Sequence, residues 1–130
     1  MACLDTSFII DLLKGSDSAK NLMEDFESFY ETINMASPSV VELIRGANKP
    51  KVKNEREKII NFLSSLIVLP LDKESAILAG DIEADLINRG AIIDVEDIMI
   101  AAIAIRNNEV LITKNKKHFE RIKDLKIRIY

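Results

Sequence analysis

Apolar residues along this chain alternate between short continuous runs and helical spacing. Residues 1–4 form an apolar run that stops at Asp5 and predict a short buried strand. From residue 6 to 14 the apolar positions fall at 8, 9, 12 and 13, the spacing of one helix face, and Gly15 supplies the stop. Asp17 to Phe29 predicts a second amphipathic helix, with Leu22, Met23, Phe26 and Phe29 on one side. Residues 32–36 predict a strand that Asn34 interrupts with a polar group. Ser37-Pro38 reads as a helix start, because proline is preorganised for the first helical position, and the helix continues through Val40, Val41, Leu43 and Ile44 towards Gly46. A further helix is expected over 53–66, then a buried strand at 67–69 ended by Pro70, and a helix over 73–88 closed by Gly90. The very apolar stretch 95–106 predicts a buried helix, 110–112 a buried strand, 116–122 a short helix, and 127–129 a last strand.

Strands and helices alternating in this way predict an α/β fold, a parallel sheet covered by helices on both faces. Connecting helices run antiparallel to the strands, so every strand's carboxyl end and every following helix's amino end share one rim. Ligands bind at that rim in open sheets of this kind. The 130 residues suffice for one domain, residues 1–130, with a substantial core.

Composition narrows the class. Hydrophobic residues make up 48% and charged residues 30%, as in a folded globular chain. The longest apolar run, 98–105, is far shorter than the ~20 residues that span a bilayer, so no membrane association is expected. Asp5 and Asp11 occupy the N-terminal segment, which lacks the basic start of a signal peptide. Cys3 is the only cysteine, which excludes an internal disulfide framework and a multi-cysteine zinc site. A cytoplasmic location is the expectation.

The net charge of −3 hides an uneven distribution. Residues 1–48 carry eight acids and three bases, whereas 113–130 carry seven bases (Lys114, Lys116, Lys117, Arg121, Lys123, Lys126 and Arg128) against Glu120 and Asp124. Lys49, Lys51, Lys53, Arg56 and Lys58 form a second basic segment. On charge alone, solvated basic segments account for these residues.

The acids are more informative by position. Asp5 follows the first strand, Glu42 lies early in the helix after the second, Asp94 and Asp97 open the apolar helix, and Asn115 follows the strand at 110–112. All five fall on the one rim. Clustered carboxylates raise one another's pKa and are stable at neutral pH with a cation, and all-oxygen ligands suit Mg²⁺ or Mn²⁺. Each acid taken singly also has a plainer role. Asp5 and Asp94 can N-cap their helices, and Ser39 to Glu42 fits a capping box if that helix starts two residues later. Spacing alone leaves the reaction open.

At these residues the chain resembles the PIN-domain nucleases, and within them the VapC-type toxins of toxin–antitoxin pairs. The matching segments are LDTSFIIDLL at 4–13, SPSVVELIRG at 37–46, VLPLDKESAILAGDIEADLINRG at 68–90, DVEDIMIAAIAI at 94–105 and VLITKNKKHFERI at 110–122, in order and over nearly the whole chain. The resemblance implies a PIN-like three-layer fold with a five-stranded parallel sheet, usually dimeric, and RNA cleavage dependent on Mg²⁺ or Mn²⁺. It carries the family's three acids onto Asp5, Glu42 and Asp97, and supporting hydroxyl positions onto Thr6 and Thr113. The fourth acidic position falls on Asn115, whose amide can hold a water but adds no negative charge. Asp94 is a candidate to compensate. Lys114, Lys116 and Lys117 are candidates for contact with RNA phosphates. His118 stands where many relatives have Asp, and on a basic amphipathic helix it reads as a surface residue. The partners implied are an RNA substrate, a small DNA-binding antitoxin, and a second copy of the chain. An RNA-processing nuclease outside any toxin pair would carry the same site residues, and a non-catalytic module would carry the acids as caps.

Overall fold

The computed structural model describes residues 1–30, 32–48 and 54–130. Five strands form one parallel sheet: β1 (Ala2–Leu4), β2 (Ile33–Ala36), β3 (Ile67–Leu69), β4 (Val110–Thr113) and β5 (Lys126–Ile129), in the order β3-β2-β1-β4-β5. Seven helices are described: α1 (Thr6–Leu13), α2 (Asp17–Phe29), α3 (Ser37–Ala47), α4 (Glu55–Leu63), α5 (Lys73–Asn88), α6 (Val95–Arg106) and α7 (Lys116–Phe119).

Alternation along the strands sorts the core into two halves. Ala2, Leu4, Met35 and Ile112 point to one face, where Phe8, Ile9, Ala19, Phe26, Leu43 and Ile59 from α1 to α4 cover them. Cys3, Ala36 and Leu111, one residue out of phase, point to the other face and meet Ala79, Leu86, Phe119 and the apolar body of α6. Ile98, Ile100 and Ile103 of α6 are buried, and burying each contributes about 1.5–3 kcal/mol. The layers are therefore helices, sheet, helices, as the resemblance implied.

Local chemistry sets the helix ends. Ser16 Oγ accepts from Ala19 N at 3.3 Å and Asp72 Oδ1 from Ser75 N at 2.8 Å, each satisfying a free N–H of the first turn. Past α1 and α5 the chain turns through Gly15 and Gly90 at φ +80° and +72°, a conformation that costs glycine little.

Three expectations from the sequence need correction. The strand at 67–69 is not buried: β3 is a sheet edge, with Ile67 60% and Val68 37% exposed. A continuous apolar run predicts cover on both faces, but an edge strand with an uncovered face has the same composition. The helix expected over 116–122 stops at Phe119. The helix expected over 53–66 is α4, two residues shorter at its start and three at its end. Its expected first residue, with the rest of the basic stretch 49–53, lies outside the described residues. Asn34, the polar interruption of β2, is buried and donates to Glu109 Oε1 at 2.6 Å across β1.

Candidate functional site

Strand register builds the first part of the site. Leu4 of β1 pairs with Ile112 of β4, so the next residues, Asp5 and Thr113, emerge side by side at the carboxyl rim. Asp5 is 3% exposed. Its Oδ1 accepts from the backbone N–H of Thr6 at 2.8 Å, and its Oδ2 accepts from Ser7 Oγ at 3.2 Å and Thr113 Oγ1 at 2.7 Å. Thr113 Oγ1 in turn accepts from the Asn115 N–H at 3.0 Å, which fixes the threonine's rotamer. Asp5 does cap α1, but the bond from Thr113 joins it to a different strand, and a cap needs no such partner.

Glu42 comes from the second turn of α3 and Asp97 from the first turn of α6. Burial pushes the Glu42 carboxyl up to about 7, and the negative charges of Glu96, Asp97 and Asp5 push in the same direction. Burial raises the Asp97 pKa as well, with Asp5 and Asp94 adding to the effect and His118 opposing it. Charges that perturb one another in this way occupy one electrostatic neighbourhood. Asp5, Glu42 and Asp97, from β1, α3 and α6, therefore lie within electrostatic reach of one another. The capping-box alternative for Glu42 fails because α3 begins at Ser37 with Ala36 as its cap residue.

Other residues had been read less well. Glu96 is part of the site, although the sequence did not single it out. Arg45 grips it bidentately, Nη1 to Oε1 at 3.0 Å and Nη2 to Oε2 at 3.4 Å, and this holds its pKa down. Glu96 is in turn the strongest of the negative charges that push the Glu42 carboxyl up. The available signal was Arg45 standing three residues after Glu42, hence on the same helix face, with Glu96 beside Asp97. His118, read from sequence as a surface residue, has its Nδ1 3.3 Å from Asp97 Oδ2 while remaining half exposed. Asp94 is exposed at the cap position of α6, but its side chain makes no capping hydrogen bond.

Asn115, Lys114, Lys116 and Lys117 are exposed around this rim. Lys114 Nζ is paired with Asp11 Oδ2 at 3.2 Å. Thr6 is buried, and its Oγ1 has no partner among the described residues.

The donor set suits a hard divalent cation. The acids offer only oxygen and push one another's pKa up, and Thr6 Oγ1, next in sequence to Asp5, is buried without a partner among the described residues. Among the described residues no three His, Cys, Asp or Glu side chains stand close enough together, as placed, to hold a metal ion. The fit is thus one of charge and donor type.

Comparison with known proteins adds to this geometry. The sequence model of the PIN domain matches residues 2–125. The chain is 37% identical to "Ribonuclease VapC1" of Methanocaldococcus jannaschii over 128 residues, covering 98% of this chain and 85% of that protein. It is 32% identical to the "tRNA(fMet)-specific endonuclease VapC" of Salmonella typhimurium over 125 residues, covering 95% of this chain and 92% of that one. Among solved structures, VapBC2 from Rickettsia felis bound to a DNA fragment from its promoter superposes with a TM-score of 0.89 at 29% identity, covering 99% and 98% of the two chains. DNA-bound VapBC from Salmonella typhimurium superposes at 0.88 with 30% identity, over 99% of this chain and 98% of that one.

Proposed function

The chain belongs to the PIN-domain family, and on that premise we propose that residues 1–130 form a metal-dependent endoribonuclease, the toxin of a VapBC-type toxin–antitoxin pair. The observation that supports the proposal is the mutual electrostatic influence of Asp5, Glu42 and Asp97, three acids from different elements on the carboxyl rim of the sheet. The names of the relatives, a ribonuclease and a tRNA-specific endonuclease, support the reaction class. The VapBC complexes among the solved structures support the toxin role.

In this mechanism Asp5, Glu42 and Asp97 would hold Mg²⁺ or Mn²⁺. When bound, such an ion supplies Lewis-acid activation of water and neutralises charge developing on the phosphodiester. Asp5 is the fixed ligand, since three hydrogen bonds set its orientation before any ion arrives. Glu42 would complete the set or orient the attacking water, with Glu96, gripped by Arg45, beside it. His118 steadies Asp97. Asn115 positions a water by its amide without adding charge. Lys114, Lys116 and Lys117 bind RNA phosphates around the rim and give affinity without sequence information. Action in the cytoplasm goes with this role, and no helix among the described residues is long and apolar enough to cross a membrane.

The antitoxin has a matching surface. Ile10 and Leu13 of α1, Leu43, Gly46 and Ala47 of α3 and Ile59 of α4 line a groove of about 230 Å³ that opens onto Glu42. An amphipathic segment laid in this groove would reach the acids and block them. The exposed apolar edge of β3 beside Val40, Val41 and Ile44 of α3 supports assembly as a homodimer.

The test is RNA cleavage by the purified protein with Mn²⁺, with EDTA, and as Asp5→Asn. Cleavage with Mn²⁺ only, lost in the variant, is expected. Equal cleavage by a well-folded Asp5→Asn protein would refute the mechanism.

A further inference from the structure

Tyr130, immediately after β5, reaches the catalytic rim. Thr113 of β4 pairs with Ile129 of β5, so Tyr130 emerges one residue beyond the level of Thr113. Its ring packs edge-on against Phe8, with centroids 4.9 Å apart at 83°, and Phe8 is fully buried. That contact fixes where the phenol points. Its hydroxyl lies 3.3 Å from Ser7 Oγ and 3.4 Å from Asp11 Oδ2. We propose that Tyr130 and Ser7 are positioning residues for Asp5, forming a directed chain of hydrogen bonds from Tyr130 through Ser7 to Asp5 Oδ2. The inference rests on the reading of Asp5 as a metal-holding carboxylate.

The number of protons sets the direction of the chain. A serine hydroxyl has one proton and two acceptor lone pairs, and an ionised carboxylate only accepts. Ser7 therefore spends its proton on Asp5 Oδ2, at 3.2 Å, and is left as an acceptor for Tyr130. Tyr130 also has one proton and two neighbours competing for it. The phenol proton is shared between Ser7 Oγ at 3.3 Å and Asp11 Oδ2 at 3.4 Å, and Lys114 Nζ, 3.2 Å from the same Asp11 oxygen, offsets part of that carboxylate's pull and so favours the share that goes to Ser7. Lys114 thus acts on the same chain from the far side of Asp11.

The consequence falls on Asp5. Ser7 and Thr113 together use both acceptor directions of Oδ2, whereas Oδ1 takes only the Thr6 N–H. The carboxylate is locked in rotation with one lone pair of Oδ1 left for the ion. Releasing Ser7 from Tyr130 lets its hydroxyl swing to other acceptors, frees one side of Oδ2, and lets the carboxylate rock away from the orientation that the ion needs.

Mn²⁺ titration of the full chain, followed by the electron paramagnetic resonance signal of the free ion, tests this in wild type, Tyr130→Phe, Ser7→Ala, Ser7→Thr, Ser7→Ala/Tyr130→Phe and Asp5→Asn. Tyr130→Phe keeps the ring on Phe8 and removes only the hydroxyl. It should weaken Mn²⁺ binding roughly 2- to 10-fold, the range of one neutral hydrogen bond. It should also lower kcat while leaving KM for RNA unchanged. Ser7→Ala should weaken binding by about 10-fold or more, as loss of a group that orients a ligand does. Ser7→Thr should restore it. The double variant should bind like Ser7→Ala alone, because Tyr130 acts through Ser7. Wild-type affinity in Tyr130→Phe, or additive losses in the double variant, would overturn the proposal while the metal site stands. Wild-type affinity in Asp5→Asn would overturn both. If Ser7→Ala does not fold, the Tyr130→Phe affinity decides alone.

Discussion

Glu42 shows most directly what the site does to its residues. In an unfolded chain its carboxyl titrates near 4.5, and in the fold near 7. The folded state therefore holds that proton more tightly, and the associated stability is fully present below about 4.5 and lost as pH rises through about 7. Melts of the protein in EDTA should show stability falling across this window, and Glu42→Gln should flatten the fall. An unchanged slope in the variant would assign the pH dependence to Asp97 and its neighbours. Thr113 gives a second prediction at this scale. Its hydroxyl makes the shortest of the bonds to Asp5, at 2.7 Å, in a fully buried position. Thr113→Val should cost about 1.5–3 kcal/mol of stability, the range for hydrogen bonds to charged groups, and reduce cleavage. Denaturant melts in EDTA measure the first effect and RNA cleavage the second. Topology alone put Asp5, Glu42, Asp94, Asp97 and Asn115 on one rim, because strand ends and helix starts share it, and the resemblance narrowed the acids to Asp5, Glu42 and Asp97. Glu96, Arg45, His118 and Tyr130 were not legible in the sequence. Their roles depend on side-chain reach between elements far apart in sequence, which periodicity does not encode.

Among the elements, helices with a capping side chain and a clear stop were readable nearly to the residue, as α2 and α5 show, and α6 was readable from its unbroken apolar run. Strand β3 was readable in position but not in burial, because its place at the sheet edge is a property of strand order. Asn34 appeared to weaken β2, yet it bonds Glu109 at the opposite end of the sheet from the site. Burial raises the Glu109 pKa and Asn34 opposes it, so Asn34→Ala should leave a buried carboxyl without its donor. The expected cost is about 1–3 kcal/mol in a denaturant melt, with cleavage per folded molecule unchanged. A fall in cleavage larger than the unfolded fraction explains would show that the two rims are coupled. The groove between α1, α3 and α4 yields a complementary prediction. Ile10 lines it and is 38% exposed. Ile10→Glu should impair inhibition by the antitoxin and leave cleavage by the free toxin intact, as measured by titrating antitoxin into the cleavage assay. Normal inhibition of the variant would move the antitoxin off this groove.

For the whole molecule, strand order explains the place of the site. The chain runs from central β1 outward to β2 and β3, then returns to β4 and β5 on the other side. The connections reverse direction between β1 and β4, and at their carboxyl ends this opens the crevice where open α/β sheets bind ligands. Asp5 and Thr113 flank that crevice, and α3 and α6 bring Glu42 and Asp97 to it from opposite faces of the sheet. The alternation of strands and helices made this architecture legible, and the resemblance to a nuclease family supplied the chemistry that spacing left open. The central claim is that this acidic rim is a cation site and not a set of helix caps. Thermal melts of wild type and Asp5→Asn, each with EDTA and with Mn²⁺, test it most directly. Wild type should gain stability from Mn²⁺, by about 2.7 kcal/mol at a hundredfold excess over the dissociation constant. Asp5→Asn, in which the amide can still cap α1, should lose most of that gain. Equal Mn²⁺ shifts in the two proteins would contradict the account and leave Asp5 as a cap.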